Sequence, residues 1–318
     1  MFELTSPLEA IGPLLGRLAG VSVPLLALGL AFQLLKMTAM SQVWGRILRE
    51  ALPAARIRRR DTFAPYAAGV GINAVVPAKA GLVARAVLVK RRLPGATYET
   101  VTATMVVESL VGTISTLGVV AVAVGMGVVP SPHGALGLAP LAASRVPGGI
   151  LVAILGASAA LVAATVLARR CRGRMADAAR RFRQGLAILG HGRALAHVML
   201  GVGLVLVLRL SCIGAFLAAF GLDCSPRTVL LVMIAQALSG MVPVGPNGAG
   251  AQQGLMVLLL AGVATASSIL TFAIGMQAAI AMLDFVAGSA ALVTHGNPLR
   301  VVREIRSAPE EAVLAPAT

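Results

Sequence analysis

The stretch "LSGMVPVGPNGAGAQQGLMVLLLAG", residues 238–262, places Gly, Pro and Asn within a run that is otherwise apolar. Lipid offers no hydrogen bonds to backbone that leaves a helix. Broken backbone therefore occurs at membrane depth only where it is buried in protein or lines a water-filled cavity. The stretch predicts two short helical arms joined by a turn that lies in the membrane and faces a polar cavity.

The composition of the whole chain supports a membrane protein. Hydrophobic residues make up 58% of the 318 residues and charged residues 12%, whereas a soluble domain carries about 25% charged residues. A membrane-spanning helix needs about 20 apolar residues. The sequence therefore predicts an all-α, polytopic transmembrane helical bundle, with spans at residues 21–44, 97–129, 147–168, 194–221 and 266–294.

The net charge of +15 reflects basic residues that lie beside the apolar runs, and aromatic residues make up only 3% of the chain. Nucleic-acid binding is excluded on this pattern. The positive-inside rule predicts a multi-pass protein of the cell membrane with a cytoplasmic C-terminus. Residues 1–295 are expected to form a single transmembrane domain, and residues 296–318 a disordered cytoplasmic tail.

A second broken segment, residues 62–95, has basic residues on both sides, which predicts a hairpin that enters and leaves on the cytoplasmic side. Its "NAVVPAKAGLVAR" parallels "GMVPVGPNGAGAQQG" in the second segment, which by the charge pattern enters from the opposite side. Two such re-entrant helical hairpins would form an inverted repeat around a shared site. The alternative is a pair of ordinary kinked spans whose glycines allow close helix packing.

Three ionisable residues, Glu108, Arg209 and Asp284, lie deep in predicted spans. Such residues are candidates for function because burying a charge in lipid is costly. The alternative is a structural ion pair of Arg209 with Glu108 or Asp284. Lys79 and Arg85, on the first hairpin, are candidates to hold a lipid phosphate, or are simply part of its basic flank. No catalytic, nucleotide-binding or metal-binding motif is visible, and we expect no cofactor.

Two ordered motifs accompany these residues. The first comprises Asn73, Pro77, Lys79, Gly81, Leu82 and Arg85, followed by Glu108 and Ser109; the second comprises Pro246, Asn247, Gly248, Gly250 and Gln253, followed by Gln277. In both, the chain resembles the transmembrane region of the lysylphosphatidylglycerol synthase family, a flippase-like domain, over approximately residues 20–295. The resemblance does not include the soluble aminoacyl-transferase domain of the bifunctional family members.

The chain departs from the family pattern at charged positions. Lys79 and Ser109 stand where the family has Arg, Leu82 and Gln253 where it has Glu, and Gln277 lies near a position where Arg is common. The resemblance implies the fold, and the changed charges separate this chain from the family's exact substrate.

Our first hypothesis is that the protein binds an anionic phospholipid or lipid-linked molecule and translocates it between leaflets. The alternatives are a membrane-embedded lipid headgroup transferase and a non-catalytic scaffold for a separate membrane-associated enzyme. We favour a transporter over an enzyme, with the anionic lipid as partner and a second copy of the chain as a further candidate. The candidate substrate-binding residues are Asn73, Pro77, Lys79, Gly81, Arg85, Glu108, Arg209, Pro246, Asn247, Gly248, Gly250, Gln253, Gln277 and Asp284.

Overall fold

The computed structural model describes residues 20–75, 80–93, 95–125, 127, 192–239 and 250–293. Within these ranges the chain is helical and has no strands, which confirms the all-α prediction for them. The predicted span at residues 147–168 and the tail at 296–318 lie outside the described residues. The described helices are α1 (Val23–Ala51), α2 (Arg59–Val75), α3 (Ala80–Arg92), α4 (Tyr98–Gly125), α5 (Gly192–Ala219), α6 (Pro226–Ser239), α7 (Ala251–Leu259) and α8 (Ala266–Val293).

Four of these helices, α1, α4, α5 and α8, are long and apolar enough to cross a membrane. Helix α4 shows how such a helix faces lipid: Val106, Leu110 and Ile114 are all exposed, and their spacing of four residues places them on one face. An exposed apolar stripe of this kind is unfavourable in water and suits contact with acyl chains. The protein is therefore a multi-pass membrane protein.

Several helices begin at a hydroxyl side chain that accepts a hydrogen bond from the first turn. The Thr100 backbone N–H donates to Thr97 Oγ1 at the start of α4 (3.3 Å), and the Ser268 N–H donates to Thr265 Oγ1 at the start of α8 (3.4 Å). Helix α6 begins after Ser225, with Pro226 as its first residue. Such caps satisfy backbone donors that a helix leaves unpaired at its N-terminus.

The short helices pack in two pairs, α2 with α3 and α6 with α7. In the first pair, Arg92 Nη1 lies 3.3 Å from Asp61 Oδ1, which joins the end of α3 to the start of α2. At 1.5 Å per residue, the 17 residues of α2 and the 13 of α3 span about 26 and 20 Å. The 14 residues of α6 and nine of α7 span about 21 and 14 Å. All four are shorter than the ~30 Å hydrocarbon core.

The described residues group into two compact units. The described parts of residues 1–36 and 207–283 form the first unit, and the described parts of residues 37–206 and 284–318 form the second. In the first unit, the ring of Phe216 lies against Gly29, and the rings of Phe220 and Phe272 meet edge to face, with centroids 5.8 Å apart. Large aromatic side chains packed on small residues fill this core.

The core of the second unit is built around Trp44 and Leu48 of α1, which pack with Val87 of α3 and Met105 of α4. Helices α2 and α8 make their close approach at a pair of glycines. A Cβ atom added at Gly71 would lie 2.7 Å from the Gly288 Cα, so neither position has room for a side chain without a shift of the backbone. Small residues allow this close helix packing.

Candidate functional site

A buried ion pair joins the first hairpin to the long helix that follows it. Arg85 of α3 and Glu108 of α4 are only 8% and 5% exposed, and Arg85 Nη2 donates to Glu108 Oε2 at 2.5 Å. A charged pair removed from water is stable only if its geometry is good and its remaining hydrogen-bonding groups are satisfied. The carboxylate that we singled out by its depth thus has a cationic partner on the hairpin.

Two aromatic rings surround the guanidinium of this pair. The Arg85 Cζ lies 4.3 Å from the centroid of the Trp44 ring and 4.5 Å from that of Tyr66. The Trp44 indole N–H donates to Thr104 Oγ1 (3.2 Å), whose hydroxyl donates to the Val101 carbonyl (2.7 Å). These contacts fix the indole, and cation–π attraction then holds the guanidinium between the two rings.

One hydrogen-bonding group of the pair has no partner. The Arg85 Nε atom is buried and makes no hydrogen bond with any residue that the structure describes. The arginine stem passes directly over Gly69, where a side chain would overlap it. A buried donor without a partner is uncommon in proteins, and here it belongs to a residue predicted to bind substrate.

The start of α3 is held by an amide side chain. Asn73 Oδ1 accepts a hydrogen bond from the Gly81 backbone N–H at 2.9 Å, and a Cβ atom at Gly81 would overlap the Gly69 carbonyl oxygen. Two predicted site residues, Asn73 and Gly81, therefore shape the hairpin itself. Pro77 and Lys79, which the sequence assigns to its tip, lie outside the described residues.

A second polar contact, in the first unit, joins α7 to α8. Gln253 Oε1 accepts a hydrogen bond from the Gly250 backbone N–H (2.6 Å), and Gln253 Nε2 donates to Gln277 Oε1 (2.5 Å). Gly250 has φ of +89° with open space beside its Cα, so backbone conformation is what requires glycine there. Pro246, Asn247 and Gly248 lie outside the described residues.

The contacts in the two units follow the same plan. Each joins the second helix of a hairpin to the next long helix, across 23 residues for Arg85–Glu108 and 24 for Gln253–Gln277. In each hairpin an amide side chain also accepts a hydrogen bond from a backbone N–H near the start of the second helix. The difference is charge: one contact is an ion pair, and the other is a pair of neutral amides.

The two remaining predicted residues are Arg209 and Asp284. Arg209 of α5 donates from Nη2 to Gln236 Oε1 of α6 at 3.1 Å. Asp284 of α8 is partly buried, and its backbone carbonyl lies beside Gly71. Within the described ranges, no three His, Cys, Asp or Glu side chains form a group that could hold a metal ion.

The aromatic residues of this site, Trp44 and Tyr66, were not predicted from the sequence. Trp44 and Tyr66 belong to no motif in the sequence and resemble other residues of apolar helices. Gln236 likewise belongs to no motif. Trp44 is the one tryptophan in the chain, which could have drawn attention to it. Only the packing of α1 and α2 against α3 shows that both rings cover Arg85.

A groove lies where the C-terminal part of α1 meets the start of α5. It has a volume of about 260 Å³ and is lined by Arg46, Arg49, Glu50, Ala194 and His197. The Arg46 guanidinium donates to the His197 carbonyl oxygen at 2.8 Å, which joins the two helices. Arginine at the end of a spanning helix is suited to contact lipid phosphates.

A known protein family matches most of the chain. No curated protein matches the chain. The model of the family described as lysylphosphatidylglycerol synthase TM region matches residues 9–288, which is most of the 318 residues and includes both hairpins. The chain therefore belongs to the lysylphosphatidylglycerol synthase TM region family.

Proposed function

We propose that this protein binds an anionic phospholipid or lipid-linked molecule and translocates it between the two leaflets. The observation that carries the proposal is the Arg85–Glu108 pair, a charged pair buried at a hairpin that is too short to cross the bilayer. Membership of a lipid-related membrane family supports it. Ionisable residues in this setting mark substrate pathways.

In the proposed mechanism, a lipid phosphate competes with Glu108 for the Arg85 guanidinium. The Nε–H group, which has no partner among the described residues, together with an Nη–H group would offer the phosphate a fork of two donors. Glu108, released from the arginine, then pairs with a basic group of the substrate or takes up a proton. The groove at Arg46 and Arg49 would receive the headgroup before it reaches the hairpin.

We further propose that the α2–α3 and α6–α7 pairs are re-entrant hairpins of an inverted repeat. Their short arms, their amide-capped starts and the matched spacing of the two polar contacts support this. By the positive-inside rule, the basic residues support a cytoplasmic C-terminus. Labelling of single cysteines from either side of sealed vesicles tests that orientation, and outside labelling of the C-terminus would contradict it.

The test is leaflet-resolved movement of fluorescent phosphatidylglycerol in vesicles that contain only the purified protein. We expect the wild-type protein to move the lipid and Glu108→Gln to abolish movement while remaining folded, since the neutral amide cannot take up a proton or a full charge. Arg92→Gln is the matched control, because it breaks the more exposed Asp61–Arg92 pair of the same hairpin. Normal movement by Glu108→Gln would refute the assignment of the site.

The same vesicles separate the alternatives. Chemical conversion of the lipid would support a headgroup transferase, and neither movement nor conversion would support a scaffold. The neutral Gln253–Gln277 pair is the observation that favours the scaffold, because it leaves the second hairpin without charge at the position corresponding to the ion pair.

A further inference from the structure

Arg209 lies in the middle of a membrane-spanning helix, on its inward face. Helix α5 has 28 residues, and Arg209 is about 5 Å from its midpoint at 1.5 Å per residue. It lies three, four and seven residues before Cys212, Ile213 and Phe216, all of which are buried, so it shares their face of the helix.

Arg209 is partly buried, and its face of the helix is directed toward the protein. The lipid-exposed residues of α5, such as Leu200, Leu204 and Val207, lie on the other side. The nearer end of the helix, Ala219, is ten residues or about 15 Å away, farther than an arginine side chain extends. Arg209 cannot place its charge at the interface as snorkelling residues do.

The described part of the first unit offers no counter-charge at this depth. Its one acidic residue is Asp223, which lies in the exposed loop before α6 and accepts hydrogen bonds from the hydroxyls of Ser225 (2.6 Å) and Thr228 (2.9 Å). The hydrogen bond that Arg209 makes is to the neutral amide of Gln236. This differs from Arg85, whose charge is balanced by Glu108.

An ionised group inside a membrane helix normally pairs with an opposite charge or lines a substrate path. We infer that Arg209 binds the phosphodiester of an anionic lipid, with Gln236 fixing the guanidinium and the substrate supplying the missing negative charge. The inference rests on the proposed function and deepens it, since it names the phosphate-binding residue of the first unit. Phosphodiester oxygens suit a planar guanidinium, which can offer two parallel donors.

The experiment uses the full-length protein in a neutral detergent, with short-chain phosphatidylglycerol as the probe and phosphatidylcholine of equal chain length as the neutral-headgroup comparison. Thermal unfolding is followed with increasing lipid to obtain Kd. We expect Arg209→Gln to weaken phosphatidylglycerol binding about 10-fold or more, the equivalent of one charge-assisted hydrogen bond. Binding of phosphatidylcholine should not change. Arg227→Gln, at the exposed start of α6, removes the same charge and should leave both affinities unchanged.

The lipid-free protein supplies a second readout. If Arg209 serves the ligand, Arg209→Gln should be at least as stable as the wild type without lipid, because an uncompensated charge is gone. Misfolding or clear destabilisation of the lipid-free variant would mark Arg209 as structural and overturn the inference, as would an unchanged Kd for phosphatidylglycerol. An equal Arg209-dependent shift with inorganic phosphate alone would overturn the assignment to a lipid.

These outcomes are distinct from those that test translocation. Arg209-dependent binding of phosphatidylglycerol by a protein that moves no lipid would refute translocation and leave the Arg209 site standing. Lipid movement by a protein whose phosphatidylglycerol affinity is unaffected by Arg209→Gln would do the reverse.

Discussion

Replacing Arg85 should lower the free energy of unfolding more than replacing its partner Glu108. Arg85→Met leaves the Glu108 carboxylate buried without a counter-charge, at a cost of about 3–5 kcal/mol. It also removes the guanidinium from between Trp44 and Tyr66, whose cation–π contacts contribute about 0.5–2 kcal/mol each. We therefore expect Arg85→Met to lower the free energy of unfolding by about 4–9 kcal/mol.

Glu108→Gln should cost less. The amide oxygen of glutamine can still accept from Arg85, and the guanidinium keeps both rings, so the loss is limited to about 1.5–3 kcal/mol, the value of a charged hydrogen bond. The double variant Arg85→Met/Glu108→Gln contains no unpaired charge. We expect it to be more stable than Arg85→Met alone, with a coupling energy of about 2 kcal/mol between the two positions.

The assay is unfolding in mixed micelles of a mild detergent and SDS. Trp44 is the one tryptophan of the chain and lies against Arg85, so its fluorescence reports on the site directly. The midpoint and slope of each transition give the free energy of unfolding for the four proteins of the cycle. Additive effects of the two substitutions, or an Arg85→Met variant as stable as the wild type, would refute the view that the pair is buried and coupled.

Three further predictions follow from other contacts. Gln253→Glu alone should destabilise the protein by placing a carboxylate beside the neutral Gln277, and Gln253→Glu/Gln277→Arg should recover the loss; no recovery in the same SDS assay would contradict a direct contact. Gly71→Leu should prevent folding or lower the free energy of unfolding by more than about 2 kcal/mol through overlap with Gly288. Gly112→Leu, which meets open space on α4, should leave the free energy of unfolding unchanged or raise it by up to about 1 kcal/mol, because leucine has the higher helix propensity; equal effects would argue against the close packing. Hydrogen bonds from Ser225 and Thr228 lower the pKa of Asp223. The contribution of Asp223 to stability is therefore present above its unfolded pKa of about 3.9 and is lost as the pH falls through the lower folded pKa. The difference in free energy of unfolding between wild type and Asp223→Asn should shrink from pH 6 to pH 3, and a difference that grows would contradict a lowered pKa.

The four described spanning helices and the short paired helices could be predicted because each depends on local sequence. Uninterrupted apolar runs gave α1, α4, α5 and α8, and Gly and Pro between basic flanks gave the short arms. The predicted helix ends were less accurate where charged residues extend a helix beyond its apolar run. Helix α1 was expected to end at residue 44, but it extends through Arg46 and Arg49 to Ala51. Arginine has good helix propensity, so a basic cluster marks the edge of the membrane and not the end of the helix.

The site could be predicted only in part. The sequence shows how deep a residue lies along a helix, but it does not show which neighbouring helix the side chain contacts. Glu108 was identified by its depth and Arg85 as a candidate to hold a lipid phosphate, but the contact between these two residues was not predicted. Their contact depends on how α3 rotates against α4, which is fixed by packing of Val87 and Met105 around Trp44. The proposed substrate roles of all the candidate residues remain predictions.

The ion pair between Asp61 and Arg92 can form early, while the rest of the chain is still being synthesised. These residues are 31 apart in the chain, so the first hairpin can close soon after Arg92 leaves the ribosome, and short loops close at little entropic cost. The partner of Arg46, His197, is synthesised 151 residues later. At a translation rate of 5–20 residues per second, that synthesis takes roughly 8–30 s. For most of that interval α1, α2 and α3 are complete and α5 has not yet been synthesised. The aromatic cage around Arg85, whose parts all precede residue 109, can form first and serve as the folded base on which the rest of its unit assembles.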